Sequence, residues 1–366
     1  MKFTSYLTAV LCATFASAQS YPNPNFVSGA IYVHDPTLAK NGNTYYLLAT
    51  APGISIKTST DLKTWRDAGL VWPNGGATWT DTYTKEKNGN LWAPDLSYRN
   101  GQFYMYYSAS SFGTSTSAIF LATSTSGNQG TWTNKGLVTS TTSSSNYNAI
   151  DPHLFVDGDG KWWMTFGSFW SGIKQIRLDP STGLAYNADK SVRSLASRPS
   201  NGGAIEAPFI YKRGSWYYLV VSFDKCCSGA SSTYRIMVGR SSSVNGPFVD
   251  KNGVAMTNGG GTQILAGHGS YHGPGGQSVF QEGNTEYLVY HYYDDAGAAK
   301  LGINTLAYDS AGWPYVGTPT SGGGASTTTR TTSRAATTTR LATTTAGPSG
   351  TNCAAKWGQC GEYGLV

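Results

Sequence analysis

Charge is scarce in this chain. Asp, Glu, Lys and Arg make up 13% of its 366 residues, about half the usual share. The net charge of +6 does not mark a nucleic-acid binder, because Lys2 lies in a leader and Arg330, Arg334 and Arg340 lie in a tail without acids. Nucleic acid is therefore excluded as a partner. Histidine and cysteine number only five each and never cluster at metal-ligand spacing, which argues against metal catalysis. No glycine-rich phosphate loop sits in a strand–helix setting. The one amphipathic helix candidate, 186–197, is weak. Past the leader no apolar run could span a bilayer, so no membrane partner is expected and the chain reads as a monomer. A low charge beside many Tyr, Trp, Ser and Thr suits a surface that touches neutral polar material, such as sugars.

Residues 1–18 read as a secretory signal ending at Ala16-Ser17-Ala18, which places the protein outside the cell. Cys12 leaves with it, and the remaining four fit an oxidising compartment. Cys226-Cys227 reads either as a bridge between neighbours or as two buried thiols. Residues 317–350 are a Ser/Thr-rich linker that cannot bury a core. Residues 351–366, with Lys356-Trp357-Gly358-Gln359-Cys360-Gly361, look like the opening of a fungal family 1 carbohydrate-binding module. It lacks the later cysteines and planar aromatic face of that module, so a truncated fragment is expected.

Between 19 and 316 the pattern is β throughout, with turn signals such as Asn41-Gly42-Asn43 and Asn100-Gly101. Pro36, Pro94, Pro152, Pro208 and Pro274 recur at separations of 58, 58, 56 and 66, each ahead of an aromatic-rich run such as QFYMYYSAS (102–110) or KWWMTFGSF (161–169). Such a period predicts an all-β, five-bladed β-propeller; a β-sandwich would not repeat the spacing. Within a unit, a first strand follows the proline and a fourth ends near a tryptophan or proline, as at Trp65 and Trp132. Residues 21–31 beside 301–308 are expected to close the ring.

Three of the prolines carry an acid one or two residues before them: Asp35, Asp151 and Glu206. One Asp-Pro is commonly a turn. Three at matched phases of a repeat converge on one axis, and glycosidic cleavage needs such a set. One protonated carboxyl serves the leaving oxygen, and one ionised carboxylate acts on water or sugar. A third nearby raises the acid's pKa by like-charge repulsion. Asp95 follows its proline and reads as a structural hydrogen-bonding group.

Val33-His34-Asp35-Pro36, Asn148-Ala149-Ile150-Asp151-Pro152-His153 and Ala204-Ile205-Glu206-Ala207-Pro208 resemble the active-site blocks of family 43 glycoside hydrolases. Leu91-Trp92-Ala93-Pro94-Asp95, Gly167-Ser168-Phe169-Trp170-Ser171-Gly172-Ile173 and Ser232-Thr233-Tyr234 look like the endo-acting arabinanases within that family. The resemblance implies hydrolysis of internal α-1,5 bonds of arabinan with inversion, Asp35 acting as base, Glu206 as acid and Asp151 as the group tuning Glu206. It also implies a substrate groove formed by Asn148, Ala149, Ile150, Ser168, Phe169 and Trp170, with Trp92, Phe112 and Gly113 as weaker candidates. No cofactor is required. Many relatives hold a metal ion on the axis through a histidine of a Gly-Pro-Gly-His block. Here that position is Gly276, leaving His272 or Gln277 as substitutes and a structural calcium open. The rivals are an exo-acting α-L-arabinofuranosidase or β-xylosidase on the same fold, and a non-catalytic sugar-binding propeller.

Overall fold

The computed structural model describes residues 21–87 and 89–317. The expectations for 1–18, for the linker from 318 onward and for the fragment 351–366 fall outside those residues.

The fold is a five-bladed β-propeller, each blade an antiparallel meander running from the axis outward. The innermost strands are Thr37–Asn41, Asn90–Arg99, His153–Val156, Ile205–Arg213 and His272–Glu282. The aromatic runs form the second strands, Thr44–Ala49, Gln102–Ser110, Trp162–Phe166, Trp216–Phe223 and Thr285–Tyr293. Tight hairpins join the two: between Arg99 and Gln102, Asn100 and Gly101 take φ of 50° and 78°, the left-handed pair that a two-residue turn demands.

Middle strands are sandwiched between neighbouring blades, so they lack the usual alternation of apolar and polar residues. All of Trp162–Phe166 and Ser117–Ser124 is buried. The apolar core accordingly splits into five clusters, one per blade interface, anchored by Phe103 and Tyr107, Tyr106 and Phe166, Phe223 and Phe248, Tyr218 and Tyr290, and Trp65 with Leu47. The N-terminal segment closes the ring as expected. Asn25 N–H donates to Ile303 O and Leu301 N–H to Ile31 O, both at 2.8 Å, while Ser28–Gly29 runs parallel to the outer strand of blade 1.

The weak helix candidate at 186–197 holds no helix; Arg193–Ala196 is the outer strand of blade 3, its Leu195 and Ala196 buried. Two expectations need correction. Trp65 and Trp132 stand at the start of the outer strands Thr64–Leu70 and Thr133–Thr141, not at their ends. Pro274 is out of phase with the other four prolines, as the axial geometry shows below.

Candidate active site

At one end of the axis each inner strand makes the same strained step. Asp35, Ala93, Asp151, Ala207 and Gly276 take φ of 47°, 43°, 56°, 51° and 55°. The next residues are Pro36, Pro94, Pro152, Pro208 and Gln277, so Gln277, not Pro274, is the fifth in-phase residue. Strand pairing skips at these points in blades 2, 4 and 5, between Trp92 and Asp95, Glu206 and Phe209, and Gly275 and Ser278. Proline has no N–H to give a ladder, so a bulge is where it fits.

The residues around this step hydrogen-bond from blade to blade in a closed circle. Ser278 Oγ donates to Pro36 O at 2.9 Å, and Leu96 N–H to Thr37 Oγ1 at 3.0 Å. Leu154 N–H donates to Asp95 Oδ2 and His153 Nε2 to Ile210 O, both at 2.8 Å; Gln277 Nε2 donates to Ala207 O at 2.6 Å. Asp95 is thus the structural group expected. Inside this circle lies a cavity of about 30 Å³ lined by Asp35, Asp95, Asp151 and Gly276, room for one water-sized occupant.

Asp35 and Asp151 line this cavity, and Glu206, 5% exposed, lies close enough to both for each pair to interact electrostatically. Their environments differ. Burial pushes Asp35 up, but the His34 charge and hydrogen bond, with His291 and the Thr50 hydroxyl, outweigh it and hold the carboxyl at about 2. Burial raises Glu206; Ser168 Oγ, donating to Oε2 at 2.6 Å, and the Tyr234 hydroxyl, donating to Oε1, offset only part of that. Burial, then the charges of Glu206 and Asp35, raises Asp151 well above the usual range, against one hydrogen bond from Ala207 N–H at 3.0 Å. Repulsion between Asp151 and Glu206 is mutual, so the pair titrates as a unit that retains a proton beyond the ordinary carboxylate range.

The sequence model for Glycosyl hydrolases family 43 matches residues 25–314. The chain belongs to that family. It is 45% identical over 321 residues to extracellular endo-α-(1→5)-L-arabinanase 1 of Bacillus subtilis, covering 86% of this chain and 97% of the relative. It is 38% identical over 323 residues to the extracellular exo-α-(1→5)-L-arabinofuranosidase ArbA of Cellvibrio japonicus, covering 84% and 90%. Among solved structures, the family 43 endo-arabinanase of Bacillus licheniformis superposes with a TM-score of 0.74 at 46% identity, over 79% of this chain and 99% of that one.

Within this family 43 site the expected groove residues divide by burial. Asn148, Ala149, Ile150, Ser168 and Phe169 are buried, as Glu206 itself is. Asn148 accepts from Ser117 Oγ at 2.5 Å, and Ser168 holds Glu206. Trp170, Trp92 and Gly113 keep part of their surface, and Phe112 is 40% exposed. Trp92 and Phe112 meet edge-to-face with centroids 6.2 Å apart. Trp92 stands two residues before its proline, as Glu206 and His34 do, which puts it at the same rim.

The side chains suggested as axial metal ligands are already engaged within the protein. His272 Nε2 pairs with Asp295 at 2.8 Å. Both ends of the Gln277 amide are engaged, by Ala207 O and by Ser222 Oγ. The one close His/Cys/Asp/Glu group of ligand type among the described residues is His34, Cys226 and His291, but Cys226 is bridged to Cys227.

Four supports of the carboxyls carried no role in the sequence reading: His34, Thr50, Tyr234 and His291. His34 and Tyr234 stood inside the quoted motifs. Thr50 and His291 left no signal, because each meets Asp35 only through the fold.

Proposed function

We propose that this chain is a secreted endo-1,5-α-L-arabinanase that hydrolyses internal bonds of arabinan with inversion. One observation carries the reading. Two carboxyls close enough to interact are driven in opposite directions, Asp35 downward and Glu206 upward, which is the division of labour between base and acid. Asp35 takes a proton from a water as that water attacks the anomeric carbon. Glu206 gives its proton to the departing glycosidic oxygen, and the C–O bond to the leaving sugar breaks. The cycle closes when solvent returns a proton to Glu206 and removes one from Asp35. Asp151 shares that proton with Glu206, the coupled pair holding it beyond the ordinary carboxylate range, and is fixed by Ala207 N–H. Trp92, Phe112 and Trp170 offer apolar faces to furanose rings.

The names of the Bacillus and Cellvibrio relatives support arabinan as substrate and an extracellular site of action. The Cellvibrio relative's name is also the reason to keep exo action as the second reading. Incubation with linear, debranched arabinan separates the two: endo action gives oligosaccharides of mixed length early, exo action a single short product throughout. Proton NMR of the first turnovers reads the anomer released. An inactive wild-type enzyme, or Glu206→Ala with undiminished activity, would overturn the proposal.

A further inference from the structure

We propose that His34 is the positioning residue of the base: it pins one oxygen of Asp35, is itself seated by Tyr293 and the Cys226–Cys227 bridge, and so selects which oxygen accepts the water's proton. The inference rests on the assignment of Asp35 as base.

Asp35 Oδ2 receives two hydrogen bonds, from His34 Nδ1 at 2.9 Å and Thr50 Oγ1 at 2.8 Å. Oδ1 receives none from the described residues. Its nearest basic neighbour, His291 Nδ1 at 3.6 Å, already accepts the Asp35 N–H at 3.1 Å and has no proton to give. Oδ1 also faces Gly276, where an added Cβ would sit 2.2 Å away. Oδ2 is saturated and Oδ1 is open, so Oδ1 is the oxygen that takes the proton.

His34 is held on every side. Its Nε2 meets the Tyr293 hydroxyl at 3.0 Å, and that hydroxyl also accepts the Cys227 N–H at 3.1 Å. The two bridged sulfurs lie 3.6 and 3.7 Å from the same nitrogen. The ring stacks on His291 with centroids 3.9 Å apart and planes 22° apart. The titratable groups facing His34 are Asp35 on its own segment, His291 and Tyr293 from the second strand of blade 5, and Glu206 from blade 4; the bridge is uncharged. Burial alone would lower His34, but Asp35 and then Glu206 raise it overall, while His291, wholly buried, is driven down. Of the two imidazoles, His34 therefore holds Asp35 down the more.

Two variants separate aim from charge. His34→Ala removes both, and His34→Asn keeps an N–H near the Nδ1 position without the charge. Misaiming a reacting group costs on the order of 100-fold. His34→Ala should lose about that much in kcat with little change in KM, and the acid limb of its pH profile should move to higher pH. His34→Asn should recover most of kcat while its acid limb stays displaced. Thermal unfolding reports whether each variant folds; should His34→Ala fail, His34→Asn carries the test. Acid limbs at the wild-type position, or an effect on KM alone, would overturn the proposal. A ¹³C NMR titration of the Asp35 carboxyl in wild type and His34→Asn reads the same pair without turnover: a raised midpoint in the variant supports the proposal, an unmoved one refutes it. A wild-type enzyme inactive on arabinan would instead sink the functional reading, and the titration would still decide the role of His34.

Discussion

Thr50→Val is the sharpest test of how the base is built. Its hydroxyl does two jobs at once: it donates to Asp35 Oδ2 at 2.8 Å and accepts the Ala93 N–H at 2.7 Å. Thr50 is 7% exposed, and valine has nearly its shape, so the change deletes hydrogen bonds and little else. Losing a bond to a charged group costs about 1.5–3 kcal/mol, and leaving a buried N–H without a partner about 1–3 kcal/mol. The expected loss of stability is therefore several kcal/mol, read as a lower denaturation midpoint. The catalytic effect should be smaller. Asp35 is held at about 2 against an ordinary 3.8, a difference worth about 2.5 kcal/mol. The Thr50 bond is the smallest of the favourable causes, so the acid limb should rise by well under the whole difference. The sign is fixed. A carboxyl depressed in the folded state contributes stability that is fully present above its unfolded pKa and is lost as pH falls toward 2. Wild type and Thr50→Val should thus differ most above pH 4 and converge in strong acid, apart from the pH-independent cost at Ala93. Thr50→Ser, which keeps the hydroxyl, should restore both properties. A Thr50→Val protein as stable as wild type, with an unmoved acid limb, would refute this account of Asp35.

Glu206→Gln and Asp151→Asn should abolish or strongly depress turnover yet leave the fold more stable at pH 7 and above. Both carboxyls are raised by burial, so their contribution to stability is lost as pH rises through the folded pKa; melting curves from pH 4 to 9 check this. Gly276→Ala should inactivate the enzyme, because its Cβ would lie 2.2 Å from Asp35 Oδ1 and 2.8 Å from His291 Nδ1 at a φ of +55°; circular dichroism with an arabinan assay separates inactivation from unfolding. Phe112→Ala and Trp92→Ala should raise KM for arabinan oligosaccharides several-fold with less change in kcat, in line with about 0.5–1.5 kcal/mol per aromatic contact; equal KM values would move the groove elsewhere.

The blades were legible because their physics is local. A strand sandwiched on both faces needs large β-forming residues along its whole length, and runs such as Trp162–Phe166 print that demand directly. Asp35, Asp151 and Glu206 were legible because each stands one or two residues before a proline that recurs once per blade. The fifth blade misled for the same reason in reverse. Glycine reaches a positive φ unaided, so Gly276-Gln277 makes the axial step without a proline, and Pro274 three residues earlier drew the eye. The side chains that set the site's electrostatics were not legible. His291 lies 256 residues from Asp35 along the chain and Tyr234 28 from Glu206, separations that no periodicity encodes. Burial was equally hidden: nothing local distinguishes Asn148, which is buried, from Trp92, which keeps part of its surface.

A repeat that places the same residue in every blade would make a symmetric ring of acids, and like acids in like surroundings titrate alike. This chain breaks the symmetry by phase. Asp35 and Asp151 occupy the strained residue itself, a left-handed position that aspartate tolerates better than most side chains. In blade 4 that residue is Ala207, and the acid stands one residue earlier, as the longer Glu206. From there it reaches a buried pocket and the hydroxyls of Ser168 and Tyr234, whereas Asp35 meets His34 and Thr50. The two Asp residues share a phase but not a neighbour: His34 lies before Asp35, and the apolar Ile150 before Asp151. That difference is the largest of the causes that hold Asp35 down, while burial and the charges of Glu206 and Asp35 raise Asp151. Replacing Ile150 with histidine should therefore pull Asp151 down toward ionisation and weaken its hold on the shared proton, moving the basic limb of the pH profile to lower pH. Ile150 is buried at 3% exposure, so Ile150→Asn, uncharged and of similar size, is the control. If both variants shift the basic limb equally, packing and not charge sets the asymmetry, and the argument from phase fails.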